Sequence, residues 1–379
     1  MKFLHLANFY STNIGNGALI FGTERVLRED IHPDIEFVPE PWDEYVIENA
    51  LGPRKFDAGF ADLVNRHDAL LVGGAVTFNG RAHLADAGMR LNLPLRLWQE
   101  IRKPVIFYGN AARFWPGQTY HHRDRLRDIL AYLGQRPDAL IGVRNDGTKH
   151  LLESLVGFAS DRIVSLPDPG LFVPAVPGEY PEIAKGKINI AVALNNEDEA
   201  SRFPDPEKKQ RFLNAFCDTL DRLSRTWDLN LVFVPHHFDD YKIIAECVAL
   251  LPPALAHQRS VSCGLVTVPH TPYFYGRYAQ MDLALSMRIH SLSPAIGLGV
   301  PVVPLVSQQR MSAFLDDMGL ADMGLDIFDL NFAEKFYAAA HRALSDAVAA
   351  RQRLRGAADA ARERTRVFNR EIRRLLPRG

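Results

Sequence analysis

Between Met281 and Pro304 the chain reads M-D-L-A-L-S-M-R-I-H-S-L-S-P-A-I-G-L-G-V-P-V-V-P. Met281–Ser286 is short, apolar and closed by a small residue, as a strand buried in a parallel sheet would be. Ser293 suits a helix cap, Pro294 the first helical position, and Gly299 the end of the helix. Val300–Leu305 then reads as the next strand. The segment predicts strand, loop, short helix, strand. Its loop carries Arg288 and His290, one residue apart, against the positive end of a helix. Helix starts that follow strands in α/β sheets are ready-made anion sites.

The same alternation runs through the first half of the chain. Lys2–Ala7 reads as a strand, Asn8–Gly17 as a Gly/Asn-rich link, and Ala18 to about Arg28 as a helix with Leu19, Val26 and Leu27 on its apolar side. Ala69–Val72 is a second strand, closed by the glycine turn G-G-A-V-T-F-N-G. Val105–Tyr108 with Gly109 and Asn110 is a third, and Ala139–Val143 with Arg144 a fourth. Helices between strands that end in turn-forming or polar residues predict a doubly wound parallel sheet. Ligands bind at the carboxyl edge of such sheets, so Asn13, Gly73, Gly74, Asn110 and Arg144 are expected on one rim. Asp146 is placed to cap the next helix and to pair with Arg144. The proline-rich passage Ser165–Pro169 and Phe172–Pro181 reads as an interdomain linker. Asp168 within it reads first as a turn residue.

Lys187–Leu194 opens the second half as an apolar strand followed by Asn195. Pro206–Trp227 is a long amphipathic helix, and Asn230–Pro235 the next strand. The latter ends in P-H-H-F-D-D, which gathers His236, His237, Asp239 and Asp240 at a sheet rim. Their roles stand open between substrate hydrogen bonding or acid–base work and helix capping. No metal ligands converge at a familiar spacing, so no metal is expected. Ala245–Leu251 reads as a helix and Val261–Thr267 as a weak strand. The turn-rich P-H-T-P-Y-F-Y-G offers either packed aromatics or a surface for a sugar ring. The expected domains are 1–178 and 179–350, with a C-terminal helix over 351–379.

With 379 residues the chain is long enough for two α/β domains. A formal charge of -1 gives no global attraction for nucleic acid or anionic membrane, so any anion site must be local. The tail Arg351–Arg378 mixes charges and reads as a solvated helix, with a peripheral membrane contact left open. Cys217, Cys247 and Cys263 form no C-x-x-C pair and read as buried free thiols. The N-terminus lacks a sustained apolar leader, and no run approaches the length of a membrane span. These features predict a cytoplasmic protein.

The segment S-M-R-I-H-S-L-S-P-A-I-G-L-G-V-P-V-V resembles the C-terminal signature of the polysaccharide pyruvyl transferase family, an Arg-x-His before a helix and a G-x-P strand start. The first link resembles the family's N-x-G-D-x-[AL] motif: Asn13 and Gly15 match, and Asn16 stands where Asp is usual. Gly73 and Gly74 resemble its G-G-G segment, Arg144 its x-V-R-D/N segment, and Asp168 its Asp-Pro. Ser307–Leu320 is similar to its K-x-x-x-F-L-x-x-x-G-L, with Arg310 near the usual Lys. Asn195 departs from the Arg of many relatives. The resemblance spans most of the chain. It implies a glycosyltransferase-B-like architecture: two Rossmann-like doubly wound domains facing a cleft, with the last helix packing back on the first domain.

It also implies transfer of pyruvate from phosphoenolpyruvate to a saccharide in exopolysaccharide or cell-surface glycan synthesis. The donor is a substrate, so no cofactor is expected, and the acceptor would be lipid-linked or nucleotide-linked. Such a donor needs cations for its carboxylate and phosphate, and the planar fork of Arg suits both. Protonation of its methylene needs a general acid. Arg288 is the expected clamp and His290 the expected acid, because imidazole titrates near neutral pH. Arg144, Ser291 and Arg310 are the further donor-binding candidates. Asn13, Gly15, Asn16, Gly73, Gly74, Asn110, Asn195, His236, His237 and Asp239 are candidates for the acceptor or the cleft rim. A structural ion pair is the rival role for Arg288, yet no acidic residue neighbours it in sequence. The rival functions are a nucleotide-sugar glycosyltransferase or epimerase of the same shape, and a non-catalytic saccharide-binding relative.

Overall fold

The structure is a computed structural model that describes residues 1–46 and 52–376. The chain divides into two compact units, one of Met1–Ser11, Leu19–Pro169 and the chain from Ala361, the other of Thr12–Ala18 and Gly170–Ala360. The division falls at Pro169/Gly170, ahead of the expected boundary at 178/179. Of the tail reading, Arg378 lies outside the described residues.

Unit 1 is built on strands β1 (Lys2–Ala7), β2 (Glu36–Pro41), β3 (Ala69–Val72), β4 (Val76–Phe78), β5 (Val105–Ala112), β6 (Ala139–Arg144) and β7 (Ile163–Leu166). Their order is β2-β1-β3-β5-β6-β7, with β4 beside the end of β5. Every pairing is parallel among the described residues. Runs such as Ala69–Val72 are buried throughout, as strands covered by helices on both faces must be. Trp42, Phe60, Trp98 and Phe107 anchor that core. Val105 was expected to open a strand ending at Tyr108, but β5 continues to Ala112. Gly109 at φ +69° takes up a register shift against β6, and the strand then resumes.

Unit 2 carries β8 (Ile188–Ala193), β9 (Leu229–Phe233), β10 (Ser260–Ser262), β11 (Leu283–Ser286), β12 (Val302–Val306) and β13 (Leu325–Asp326) in the order β10-β9-β8-β11-β12-β13, again all parallel. This is the doubly wound order that reverses between its first and fourth strands. The helix Pro206–Ser224 starts with Asp205 accepting from the Glu207 N–H at 2.9 Å and with proline in its first turn. It buries Phe212, Phe216 and Leu220, which pack with Phe332 and Phe336; the Phe216 and Phe336 rings stack at 5.2 Å.

Three local expectations change. The Gly/Asn link is already helical, since the first helix runs Ile14–Asp30 rather than from Ala18. The aromatic P-H-T-P-Y-F-Y-G is not a turn: Pro272 opens the helix Thr271–Tyr278, which buries Phe274, Tyr275 and Tyr278. Ser293 and Pro294 do not start a helix, because Ile289–Gly297 begins earlier and holds Pro294 inside. A proline there leaves the carbonyl four residues back without its N–H. That carbonyl belongs to His290, and the Tyr275 hydroxyl donates to it at 2.6 Å.

The final helix runs Ala347–Leu375. Its last half packs within unit 1, where Asn369 accepts from the Tyr108 hydroxyl at 2.9 Å and Arg362 pairs with Asp30 at 2.6 Å. All three cysteines are free and buried. No described helix is long and apolar enough to cross a membrane.

A β-carbon added at Gly297 would lie 1.8 Å from the Leu171 carbonyl oxygen, a backbone atom within the same unit. Gly297→Ala is therefore expected to cost about 1–3 kcal/mol by overpacking, read as a lowered urea midpoint at unchanged slope. An unaltered midpoint would contradict this packing.

Candidate active site

In unit 2 the order of strands reverses between β8 and β11, and open α/β sheets bind ligands at the carboxyl side of such a point. The turn after β11 is shaped by Ser286, whose hydroxyl donates to the Arg288 carbonyl at 2.8 Å and accepts from the Arg288 N–H at 3.3 Å. This sets Arg288 in extended backbone as the residue before the helix Ile289–Gly297. Its guanidinium is largely buried and fully engaged by carboxylates. Nε and Nη2 donate to the two oxygens of Asp240 at 3.1 and 2.6 Å, and Nη1 donates to Glu197 at 3.0 Å.

Asp240 is 0% exposed. Besides Arg288 it accepts from the backbone N–H groups of Asn196 (3.2 Å), His236 (2.9 Å) and His237 (3.0 Å). One carboxylate thus ties together the loops that follow β8, β9 and β11. Burial alone would raise its pKa, but the charge and hydrogen bonds of Arg288 outweigh that and hold it below the ordinary value. The structural ion pair, the less favoured role for Arg288 in the sequence, is present. The acids arrive from neighbouring strand ends, and local sequence could not show them.

His290 is the second residue of the helix and is half-buried. Its ring lies against Gly15, where a β-carbon would sit 2.3 Å from Nδ1. Gly17 likewise has no room beside Thr271, and the Ile14 N–H donates to the His236 carbonyl at 3.2 Å. Asn13 accepts from the Gly15 N–H at 3.2 Å through its side chain and from the Asn16 N–H at 3.0 Å through its carbonyl. Asn13, Gly15 and Asn16 therefore belong with His290 in unit 2 and not with the rim of the first sheet.

His236 is wholly enclosed. Its Nδ1 lies 3.0 Å from the Val234 carbonyl, which can only accept, so Nε2 accepts a hydrogen bond from the Tyr278 hydroxyl at 3.3 Å. The Tyr278 oxygen is then the acceptor for Ser291 Oγ at 2.9 Å. Burial, reinforced by the charge of Arg288, pushes the His236 imidazole down to about 3. It is neutral at physiological pH, and it and Ser291 are buried within the turn. Asn195 is buried and accepts from the Glu197 N–H at 3.0 Å. His237 is half-buried, 3.2 Å from exposed Asp239. Arg310 is the second residue of the helix Gln309–Asp317, beside Ser307, which accepts from Arg202 at 2.5 Å.

The remaining candidates lie in unit 1. Asn110 donates to the Gly73 carbonyl at 3.1 Å and to Thr77 at 2.7 Å, and a β-carbon at Gly74 would lie 2.8 Å from the Gly109 carbonyl oxygen. Arg144 is 1% exposed, donates to that same carbonyl and lies 3.2 Å from Asp168. The β6–β7 register sets Arg144 opposite Leu166 and so brings Asp168 up. Asp168 is therefore an ion partner rather than a turn residue alone. Asp146 stands 3.9 Å from Arg144 and accepts from the Thr148 hydroxyl; Gly147, not Asp146, precedes the next helix. Arg144, enclosed with two carboxylates, holds the strand ends together and presents no surface to a donor.

Asp240→Asn removes the charge that balances Arg288 and is expected to cost about 3–5 kcal/mol, as the loss of one partner of a buried pair does. The sign with pH follows from the lowered pKa. The carboxylate's contribution is full above its unfolded value of about 4 and is lost as pH falls through the folded one. Urea unfolding of the wild type between neutral and acid pH should show this loss, and Asp240→Asn should lack that component. Equal acid sensitivity in both would remove Asp240 from the role.

Comparison with known proteins gives the same architecture. Escherichia coli ADP-heptose LPS heptosyltransferase II is similar over 92% of this chain and 100% of its own, with a TM-score of 0.51 at 12% identity. A glycosyltransferase from Rickettsia africae is similar over 98% of this chain and 96% of its own, with a TM-score of 0.52 at 10% identity. At such identity the likeness shows the fold alone: two Rossmann-like units of the glycosyltransferase-B type. No curated protein matches the chain. The family described as polysaccharide pyruvyl transferase matches residues 13–309, a span that holds the Asn13–Gly15 helix start, the Asp240 hub and the Arg288–His290 turn. The chain belongs to the polysaccharide pyruvyl transferase family and is a transferase.

Proposed function

We propose that the protein moves the pyruvyl group of phosphoenolpyruvate onto two hydroxyls of a saccharide and releases phosphate, with unit 2 holding the donor and unit 1 the acceptor. The observation that carries this reading is the Arg288-Ile289-His290 turn at the reversal point of the unit 2 sheet. It combines a guanidinium, a half-buried imidazole and the positive end of a nine-residue helix. Asp240 fixes one edge of Arg288, whereas Nη1 rests on Glu197, whose side chain is 23% exposed. The donor's carboxylate or phosphate takes the place of Glu197 on that nitrogen, whose N–H donates to either group.

His290 gives a proton to the donor's methylene carbon, and C2 becomes electrophilic. One sugar hydroxyl adds to C2 with loss of its proton, the C2–O bond to phosphate breaks, and the second hydroxyl closes the ketal. Of the two hydroxyl protons, one replaces that given by His290 and the other leaves with phosphate. Glu197, released from Arg288 by the donor, is the carboxylate nearest to serve as base. It supplies what Asn16 cannot, since Asn16 stands where relatives carry Asp. The three buried free cysteines suit a reducing compartment, and we place the reaction in the cytoplasm as a step of cell-surface glycan synthesis.

Phosphate release from phosphoenolpyruvate, with mass spectrometry of lipid-linked and nucleotide-linked acceptors, tests the reading. His290→Ala should lower turnover by roughly 10²-fold or more without loss of fold. Arg288→Ala is the poorer probe, because it strands Asp240 and should unfold the domain. Gly15→Ala, whose added β-carbon would lie within 2.8 Å of His290 Cβ as well as of its ring, should displace His290 and lower both turnover and thermal stability. Most of the activity surviving in His290→Ala, or binding of UDP-sugars in place of phosphoenolpyruvate, would contradict the proposal.

A further inference from the structure

A second cationic feature lies at the carboxyl edge of the other sheet. β2 ends at Pro41 and leads into Tyr45, and β4 ends at Phe78 and leads into the segment through Arg96. Between them is a cavity of about 410 Å³, whose charged lining is Arg54, Lys55, Arg90 and Arg96 against Asp86 alone. Such a volume suits a small ligand rather than a macromolecule. A smaller cavity shares Asp86, Pro94 and Arg96 with it and adds Arg125 and Asp128, so the groove continues.

The wall is built before any ligand arrives. Arg54 bonds Glu40 at 2.9 Å and Glu44 at 3.1 Å and lies over the Tyr45 ring at 4.6 Å; that ring stacks on Phe56 at 4.2 Å. Asp86 is turned to Asn92, which donates to it at 3.2 Å. The lining of the larger cavity holds four cations to one carboxylate, with Glu40 and Glu44 paired to Arg54 and Asp43 near Arg90 behind it. In a chain of formal charge -1, that is a local concentration of positive charge.

We propose that this groove binds the phosphate or diphosphate ester that links the acceptor sugar to its carrier. The inference rests on unit 1 being the acceptor side. Lys55 from one lining segment and Arg96 from the other can each take non-bridging oxygens of a diphosphate. A nucleoside diphosphate and a prenyl diphosphate share this chemistry.

Calorimetric titration of the full chain with inorganic pyrophosphate tests the groove. Binding is expected, weakening as salt is raised. The exposed reversals Lys55→Glu and Arg96→Glu should each weaken it about tenfold, whereas Arg342→Glu on unit 2, an equal change of charge, should leave it unaltered. Absence of binding, or equal binding in all three variants, overturns the groove. Displacement by a UDP-sugar assigns a nucleotide-linked acceptor, and displacement by a short prenyl diphosphate a lipid-linked one. Displacement by neither leaves an adventitious ion only and overturns the acceptor assignment. Failure of pyruvyl transfer with these binding results intact would count against the proposed reaction alone.

Discussion

The bidentate pair between Asp240 and Arg288 is the constraint from which the geometry of unit 2 follows. A doubly wound sheet delivers three loops to its carboxyl edge, and nothing in the strands themselves fixes how those loops stand to one another. Here one enclosed carboxylate bonds backbone N–H groups of two of them and the guanidinium of the third. Without Arg288 the carboxylate would be an uncompensated charge in a dry interior. Without Asp240 the guanidinium would keep Glu197 alone, on one nitrogen. Each requires the other, so the turn that carries His290 has little freedom.

That arrangement divides the arginine between structure and chemistry. Two of its nitrogens serve the fold and the third meets a carboxylate at the edge of solvent. On the proposed reading, such a division lets a strongly desolvated cation serve a small anionic donor, with the edge that would bind it held in place by the structural edge. His290 is held by a comparable economy of contacts, with Gly15 against its ring and the Tyr275 hydroxyl on its carbonyl.

Much of this was legible in the sequence and some of it was not. Short apolar runs marked β1, β3, β5 and β6 of the first sheet and β8, β9, β11 and β12 of the second, because parallel strands buried on two faces leave that composition, whereas β4 read as a glycine turn and the end of β7 as a linker. The Arg-x-His turn after Leu283–Ser286 was legible for the same reason. Edge strands such as Glu36–Pro41 were not, since a half-exposed strand with two prolines has no such signature. The helix starts at Ile14 and Ile289 were obscured by glycine and proline, which here serve close approach to His290 and a side-chain substitute for a lost hydrogen bond. The partners of Arg288 were hidden altogether, and of the two carboxylates near Arg144 only Asp146 was legible locally. Asp240, Glu197 and Asp168 are brought to them by strand order, which no local pattern encodes.

In this proposal the edge of Arg288 that meets half-buried Glu197 receives the donor in its place, within reach of His290. A crystal structure of the full chain with phosphoenolpyruvate measures this directly. The account predicts a donor carboxylate or phosphate on Arg288 Nη1, Glu197 turned away, Asp240 unmoved, and the donor's methylene carbon beside the His290 ring. A donor bound elsewhere, with Glu197 still on Arg288, would contradict it.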